Sequence, residues 1–246
     1  MFRHQFNKAR SWRTHFQWFL LSFIAGCVNA GGFLSAHRFV SHVTGFATLF
    51  AADATKGQWD QAAGIVALPL FFLLGVMVSA YLVDRRVHRG QRPHYALVMS
   101  LVCLCLLGAA LGGHFDLFGS FGSEPRLSKD YMLLALLCAA SGLQNAAIST
   151  SSGATVRTTH LTGVTTDLGT GLVRAFSNPA VFRMEMQAVR LRMGTISAFI
   201  MGSLIGSYFY LKFHYLGFLL PATLSAYSIY EALGPRRRLA RLRRRH

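Results

Sequence analysis

Two histidine-led tetrapeptides carry the clearest potential for chemistry in this sequence: His42-Val43-Thr44-Gly45 and His160-Leu161-Thr162-Gly163. Each opens a short stretch, Val43–Thr55 and Leu161–Phe176, that is too brief or too polar to cross a bilayer comfortably. A helix that starts inside a membrane leaves its first N–H groups without intrahelical partners, and those groups, with the helix dipole, favour an anion or a polar ligand group. Gly45 and Gly163 would let a ligand approach the backbone. Thr44 and Thr162 offer hydroxyls that can cap a helix start, and a histidine can add a charge near neutral pH. The competing reading is structural: Thr-Gly breaks and caps a re-entrant turn, and each histidine bonds a backbone carbonyl at the membrane interface. Asn29, Asn145 and Gln144 lie deep in long apolar stretches, where they either line the same site or hydrogen-bond across helices. Asp167, one turn into the second short stretch within Thr165-Thr166-Asp167, is the preferred acid, whereas Asp53 is expected to face the outer water near Lys56. The sequence offers no nucleophile–base pair, no metal-ligand spacing and no histidine pair at i, i+4, so an enzyme is not expected and no cofactor is implied; a haem held by the two histidines is the weaker alternative.

The elements that must position these residues are apolar. Of 246 residues 52% are hydrophobic and 14% charged, against roughly 25% charged in a soluble domain, and the mean hydropathy is +0.37. Six stretches approach the ~20 residues that cross a bilayer's hydrocarbon: residues 16–36, 62–83, 95–115, 131–149, 193–211 and 215–233, none with a charge in its central part. The formal charge of +16 sits between these stretches and at the ends, as the positive-inside rule places it, so nucleic-acid binding is not expected. The tail Arg236–Arg245 is dense enough to attract anionic lipid headgroups. Cys27, Cys103, Cys105 and Cys138 all fall in apolar stretches, where cysteine behaves as a small hydrophobe. The run from Phe16 to Cys27 imitates a lipoprotein signal, but the duplication described next places Gly26 inside the fold.

The chain resembles itself. Gly26-Cys27-Val28-Asn29-Ala30 matches Gly142-Leu143-Gln144-Asn145-Ala146 at an offset of 116; Ser41–Gly45 matches Thr159–Gly163 at 118; Gly75–Tyr81 matches Gly202–Tyr208 at 127. Each half reads as a span, a short segment and two further spans. If the short segments enter and return, 20 of the 25 basic residues lie on one side, leaving Arg38, Lys56, Arg126, Lys129 and Lys212 on the other. The expected architecture is therefore an all-α integral membrane protein with six transmembrane helices and two short re-entrant helices, built as a 3+3 inverted-topology repeat. A basic cytoplasmic N-terminus (1–15) precedes repeat 1 (16–112), an outside linker (113–130), repeat 2 (131–233) and the Arg-rich cytoplasmic tail (234–246). Glycine pairs at i, i+4, as in Gly108/Gly112 and Gly202/Gly206, read as close-packing faces. The expected function is a secondary transporter or channel for a small, anion-compatible solute or ion, bound between the two motifs near the midplane. The alternative is a non-transporting scaffold, sensor or lipid-interacting protein. Partners are the bilayer, anionic lipid and a small solute, and a homo-oligomer is compatible with the pattern.

The order Gly-x-x-Asn-Ala, Phe39-Val40-Ser41-His42-Val43-Thr44-Gly45, Gly142-Leu143-Gln144-Asn145-Ala146, His160-Leu161-Thr162-Gly163 resembles the YoaK-like family of bacterial inner-membrane proteins over roughly residues 16–233. The resemblance implies a six-span protein of the bacterial inner membrane and supplies no substrate. Relatives often carry Asp where this chain has Asn29 and Asn where it has Phe46, so an ion coupling that relies on an acid at the first position is not implied here.

Overall fold

The computed structural model describes residues 12–123, 128–154, 156 and 158–243, with side chains described for all of these but 128–130 and 234–243. Arg3, Lys8, Arg10, Arg126 and Arg157, and the side chains of the Arg tail, lie outside the described residues. No strand occurs among the described residues.

The chain forms α1 (Trp12–Ala36), α2 (Val43–Thr55), α3 (Trp59–Ser79, run on through a π-helical turn at Ala80–Asp84 to Arg85–His88), α4 (Tyr95–His114), α5 (Ser128–Ser152), α6 (Leu161–Ser177), α7 (Phe182–Phe213) and α8 (Leu219–Arg243). Five helical stretches are long and apolar enough to cross a membrane: Trp12–Ala36, Trp59–His88, Tyr95–His114, Tyr131–Ser152 and Phe182–Leu233. The fifth contains a break, where His214 takes a left-handed φ of 50° and a 3-10 turn, His214–Phe218, leads from α7 into α8. α7 starts eleven residues before the apolar run at Met193. Its first turns, Phe182–Arg192, were expected as part of a connection because arginines interrupt the hydropathy, but Arg, Met, Gln, Glu and Ala are good helix formers and continue the helix.

Burial runs opposite to that of a soluble bundle on two helices. Leu70, Leu73, Leu74 and Met77 on α3, and Ile200, Leu204 and Leu211 on α7, each expose about half or more of their surface. Such contiguous apolar faces suit hydrocarbon rather than water. Ile24, Ile65, Leu106, Leu134, Leu137 and Phe218 fill the core between the helices.

Glycines set the closest helix contacts. A Cβ on Gly26 of α1 would fall on the Phe199 carbonyl and 2.9 Å from the Ser203 nitrogen of α7; a Cβ on Gly142 of α5 would fall on the Phe72 carbonyl and 3.1 Å from the Val76 nitrogen of α3. Likewise Gly202 of α7 meets the Phe23 backbone of α1, and Gly75 of α3 meets the Ala139 backbone of α5. These contacts obey the duplication's own offsets: 26 and 23 plus 116 give 142 and 139, while 199, 203 and 202 minus 127 give 72, 76 and 75. The first helix of each half thus packs on the third helix of the other half. Gly108 differs from the glycine faces read in the sequence, since its nearest neighbour would be the Leu136 side chain at 3.7 Å. The helix ends match too: α1 ends on left-handed His37 (φ 50°) and α5 on left-handed Gly153 (φ 62°), again 116 apart.

Contact order fixes helix directions. Phe19 meets Gly194 and Cys27 donates to the Gly202 carbonyl (3.1 Å), so α1 and α7 run parallel. Tyr131 reaches Gly64, and Thr150 donates to Asp84 (3.2 Å), so α3 and α5 run parallel. Gln144 donates to the Leu21 carbonyl (2.7 Å) while Ile148 packs on Trp18, so α1 and α5 run antiparallel.

Candidate functional site

The first motif is reached by a fold-back. Beyond His37 the chain returns along α1, and Val40 drops into the notch at Gly32, where a Cβ would stand 2.5 Å from the valine Cγ1. Ser41 then donates to Asn29 Oδ1 at 3.3 Å. Asn29 lies five residues from Ile24, the middle of α1, so α2 starts about 7.5 Å along the axis from that middle. His42 is the N-cap residue, and its carbonyl accepts from the Gly45 and Phe46 nitrogens at 3.0 and 3.3 Å. The imidazole folds over Gly45, whose Cβ would lie 2.9 Å from Nδ1, and meets the Phe39 ring edge-on at 6.1 Å. His42 and Thr44 are exposed, and Phe46 anchors the helix in the core.

The second motif has the same plan with different bonding. His160 is the N-cap residue of α6, and its carbonyl accepts from Val164 at 3.0 Å. Phe176 packs on Phe182 (6.2 Å), and Gly171 lies against Val189 and Arg192, so α6 runs antiparallel to α7. Continuing that register for ten residues brings Leu161 level with about Ala198, which is level with the middle of α1. α2 thus starts about 7.5 Å from the level of the middle of α1 and α6 close to that level, and the two short helices lead away from it in opposite directions. Val164, Gly171 and Ala175 bury one face of α6 on α7, while Thr162, Gly163, Thr165, Thr166 and Asp167 are exposed. Thr166 donates back to the Thr162 carbonyl at 3.0 Å. Gly163 has open space where Gly45 has the His42 ring. The threonines were expected as caps, but they fall inside the first turn; the N-cap residue is histidine at both starts, and neither start has a side-chain cap bond.

Beneath the second start lie polar atoms with no partner. Asn145, 8% exposed, leaves Oδ1 unbonded, and the Oγ1 atoms of Thr158 (0% exposed) and Thr159 are also buried and unbonded. Asn145 is the counterpart of Asn29, and Thr159 of Ser41, so the bond made in the first half is missing in the second. Neither threonine was singled out from the sequence, although Thr159 stood inside the repeat match opposite Ser41. Gln144 ties α5 to α1 as described. Asp53 departs from its expected place: it is 9% exposed with Oδ2 unbonded, because it lies on the face of α2 that packs against α3. Asp167 is the exposed acid of the pair. Among the described residues no group of three His, Cys, Asp or Glu side chains is placed to hold a metal ion.

The geometry groups Asn29, Ser41, His42, Thr44 and Gly45 at one start, and Asn145, Thr158, Thr159, His160, Thr162 and Gly163 at the other, with Asp167 one turn further along α6. Searches of curated proteins and of solved structures give no match to this chain. A family model does match, over residues 17–230, which takes in both motifs and all but the outermost residues of the apolar stretches. The chain belongs to the family described as protein of unknown function DUF1275.

Proposed function

We propose that this protein is a six-span secondary transporter or channel of the bacterial inner membrane, built as an inverted repeat, which passes a small anion-compatible solute between the starts of α2 and α6. The carrying observation is the exposure of His42, Thr44, His160, Thr162 and Asp167 at two helix starts that lie within about 7.5 Å of the level of the middle of α1, among apolar helices. Irregular backbone and titratable side chains at that depth are tolerated where they line a cavity or are buried in protein, and are costly against lipid. Each short helix turns its N-terminus toward the level of the middle of α1, and a helix N-terminal dipole favours negative charge. The inverted repeat draws support from the antiparallel course of α1 and α5 and from the glycine contacts that recur at the duplication offsets. α1, α3, α4, α5, α7 and α8 supply the six crossings, and the Arg tail adds affinity for anionic lipid.

Two measurements test this reading. In a cysteine-free background, single cysteines at exposed Ser120 and Gly90 should react oppositely with an impermeant thiol reagent on intact cells, Ser120 labelled and Gly90 protected; the reverse pattern ends the six-span topology. In proteoliposomes, a panel of small anions, neutral polyols and amines should give protein-dependent flux, fastest for an anion. Flux equal to that of empty liposomes for every solute ends the transport reading.

A further inference from the structure

A recess of about 420 Å³ opens at the end of the bundle where α4 and α7 stop. α4 has 20 residues, which rise ~30 Å, the thickness of a bilayer's hydrocarbon, so its last residue, His114, stands at headgroup level. α8 leaves from this end, so the Arg-rich tail lies at the other. Four titratable side chains line the recess: His114, Asp116 just beyond it, Lys212 in the last turn of α7, and His214 in the turn that follows. All four are exposed. Among the described residues none of the four makes an ion pair or a side-chain hydrogen bond. Their contacts are with rings: the Lys212 ammonium lies 5.5 Å from the Phe213 centroid and 6.0 Å from that of Tyr208, and the His214 ring lies 5.3 Å from Phe121. Tyr215 lines the same recess and donates its hydroxyl proton to the Gly119 carbonyl at 2.6 Å. Beside the recess Phe115, Leu117, Tyr208 and Leu211 each leave more than half of their surface open.

We propose that the recess holds a zwitterionic phospholipid headgroup, of the chemistry of phosphoethanolamine, with its ammonium on Asp116 and its phosphate on Lys212 and the two imidazoles. The lining matches such a headgroup by sign. A carboxylate and an ammonium that share one recess without pairing complement a ligand that carries both charges, whereas a plain anion meets Asp116 and a plain cation meets Lys212. Phosphate oxygens accept from the lysine and from imidazole N–H groups, and the faces of Phe121 and Phe213 add attraction for the ligand's ammonium. The volume lies within the roughly 300–1,000 Å³ of small-molecule sites. The apolar side chains beside the recess assign the headgroup to a lipid rather than to a free solute, because they continue the contact along the acyl chains. Tyrosine and lysine at a helix end mark that level in membrane proteins. This site shares no residue with the two motifs and rests on no transport step.

Dioctanoyl phosphatidylethanolamine, dioctanoyl phosphatidylglycerol and glycerophosphoethanolamine separate these features on the full-length protein in detergent, with affinity read by thermal-shift titration. The ethanolamine lipid should stabilise the protein. Glycerophosphoethanolamine, with the headgroup and no tails, should give no response at concentrations where the lipid saturates. The glycerol lipid, an anion without an ammonium, should act at the Arg-rich tail instead. Asp116→Asn keeps the left-handed turn (φ 55°), which asparagine tolerates, and Lys212→Met keeps an apolar stem. Each should weaken the ethanolamine lipid about fivefold, the loss of one exposed ion pair, and leave the affinity of the glycerol lipid unchanged. The two variants lie on separate segments, so one carries the test if the other does not fold. No response to the ethanolamine lipid, an affinity for it that is unchanged in either folded variant, an equal loss for both lipids, or a glycerophosphoethanolamine response that matches the lipid's each overturns the proposal.

Discussion

Gly26→Leu and Gly142→Leu should each prevent the folded protein from accumulating, and Gly26→Ala and Gly142→Ala should each lower its thermal midpoint by several degrees. At both glycines a Cβ would fall on a backbone carbonyl of the neighbouring helix, Phe199 at one and Phe72 at the other. A carbonyl in a helix cannot swing aside as a side-chain tip can, so the two helices must separate along their length. Overpacking of this kind costs about 1–3 kcal/mol for small additions and more for large ones. The alanine variants recover ~1 kcal/mol from better helix propensity, which leaves a net loss of up to about 2 kcal/mol. Gly169→Ala is the control: the space around it is open, so the propensity gain stands alone and the midpoint should rise or hold. Fluorescence-detected size exclusion and thermal unfolding in detergent read all of these. Equal midpoints for Gly26→Ala and Gly169→Ala would remove the helix-exchange contact from the account, and a loss at Gly26 without one at Gly142 would break the equivalence of the halves.

That equivalence was legible in the sequence because the matched segments are the ones that touch. Gly26, Gly142, Gly75 and Gly202 appear in the repeat as identities, and their spacing already carries the offsets that the contacts obey. The short segments were legible as well, since the lengths and polarity of 43–55 and 161–176 set them apart from the long runs. Helix ends were less legible. Hydropathy stops at Arg192, whereas α7 reaches back to Phe182, because propensity, and not apolarity, carries a helix past the membrane edge. Asp53 was misread for a different reason. Its place two residues from the end of α2 suggests exposure, but the helical period turns it toward α3, as it turns Phe46 two turns earlier. The unbonded Asn145 and Thr158 oxygens had no sequence signal at all. Sequence placed Asn145 opposite Asn29, yet whether a neighbour reaches it depends on the course of the fold-back, and the two halves differ there: Ser41 makes its bond and Thr159 does not. The recess between His114 and His214 belongs to the same class, assembled from helix ends that no local pattern brings together.

The second large effect is expected at the motifs themselves. His42→Ala, His160→Ala, Thr44→Val and Thr162→Val should each lower anion flux in proteoliposomes by tenfold or more while moving stability within about 0.5 kcal/mol. The small stability change follows from exposure: all four side chains lie on the open surface of their helices, and surface substitutions away from packing features cost little. The large functional change follows from depth. At mid-membrane a lost hydroxyl or imidazole is not replaced by bulk water at equal energy, so the solute loses a hydrogen bond of about 1.5–3 kcal/mol if it is charged. The two glycines give an internal check. Gly45→Ala puts a methyl group 2.9 Å from His42 Nδ1 and displaces the ring, so it should reproduce much of the His42→Ala loss. Gly163→Ala meets open space and should leave the His160 ring in place, acting only if the solute itself approaches that backbone. If the histidine and threonine variants instead unfold the protein and spare flux in whatever fraction remains folded, the motifs are structural turns. If Gly45→Ala is silent while His42→Ala is not, the ring works from a position other than the one folded over Gly45, and the helix start alone does not define the site.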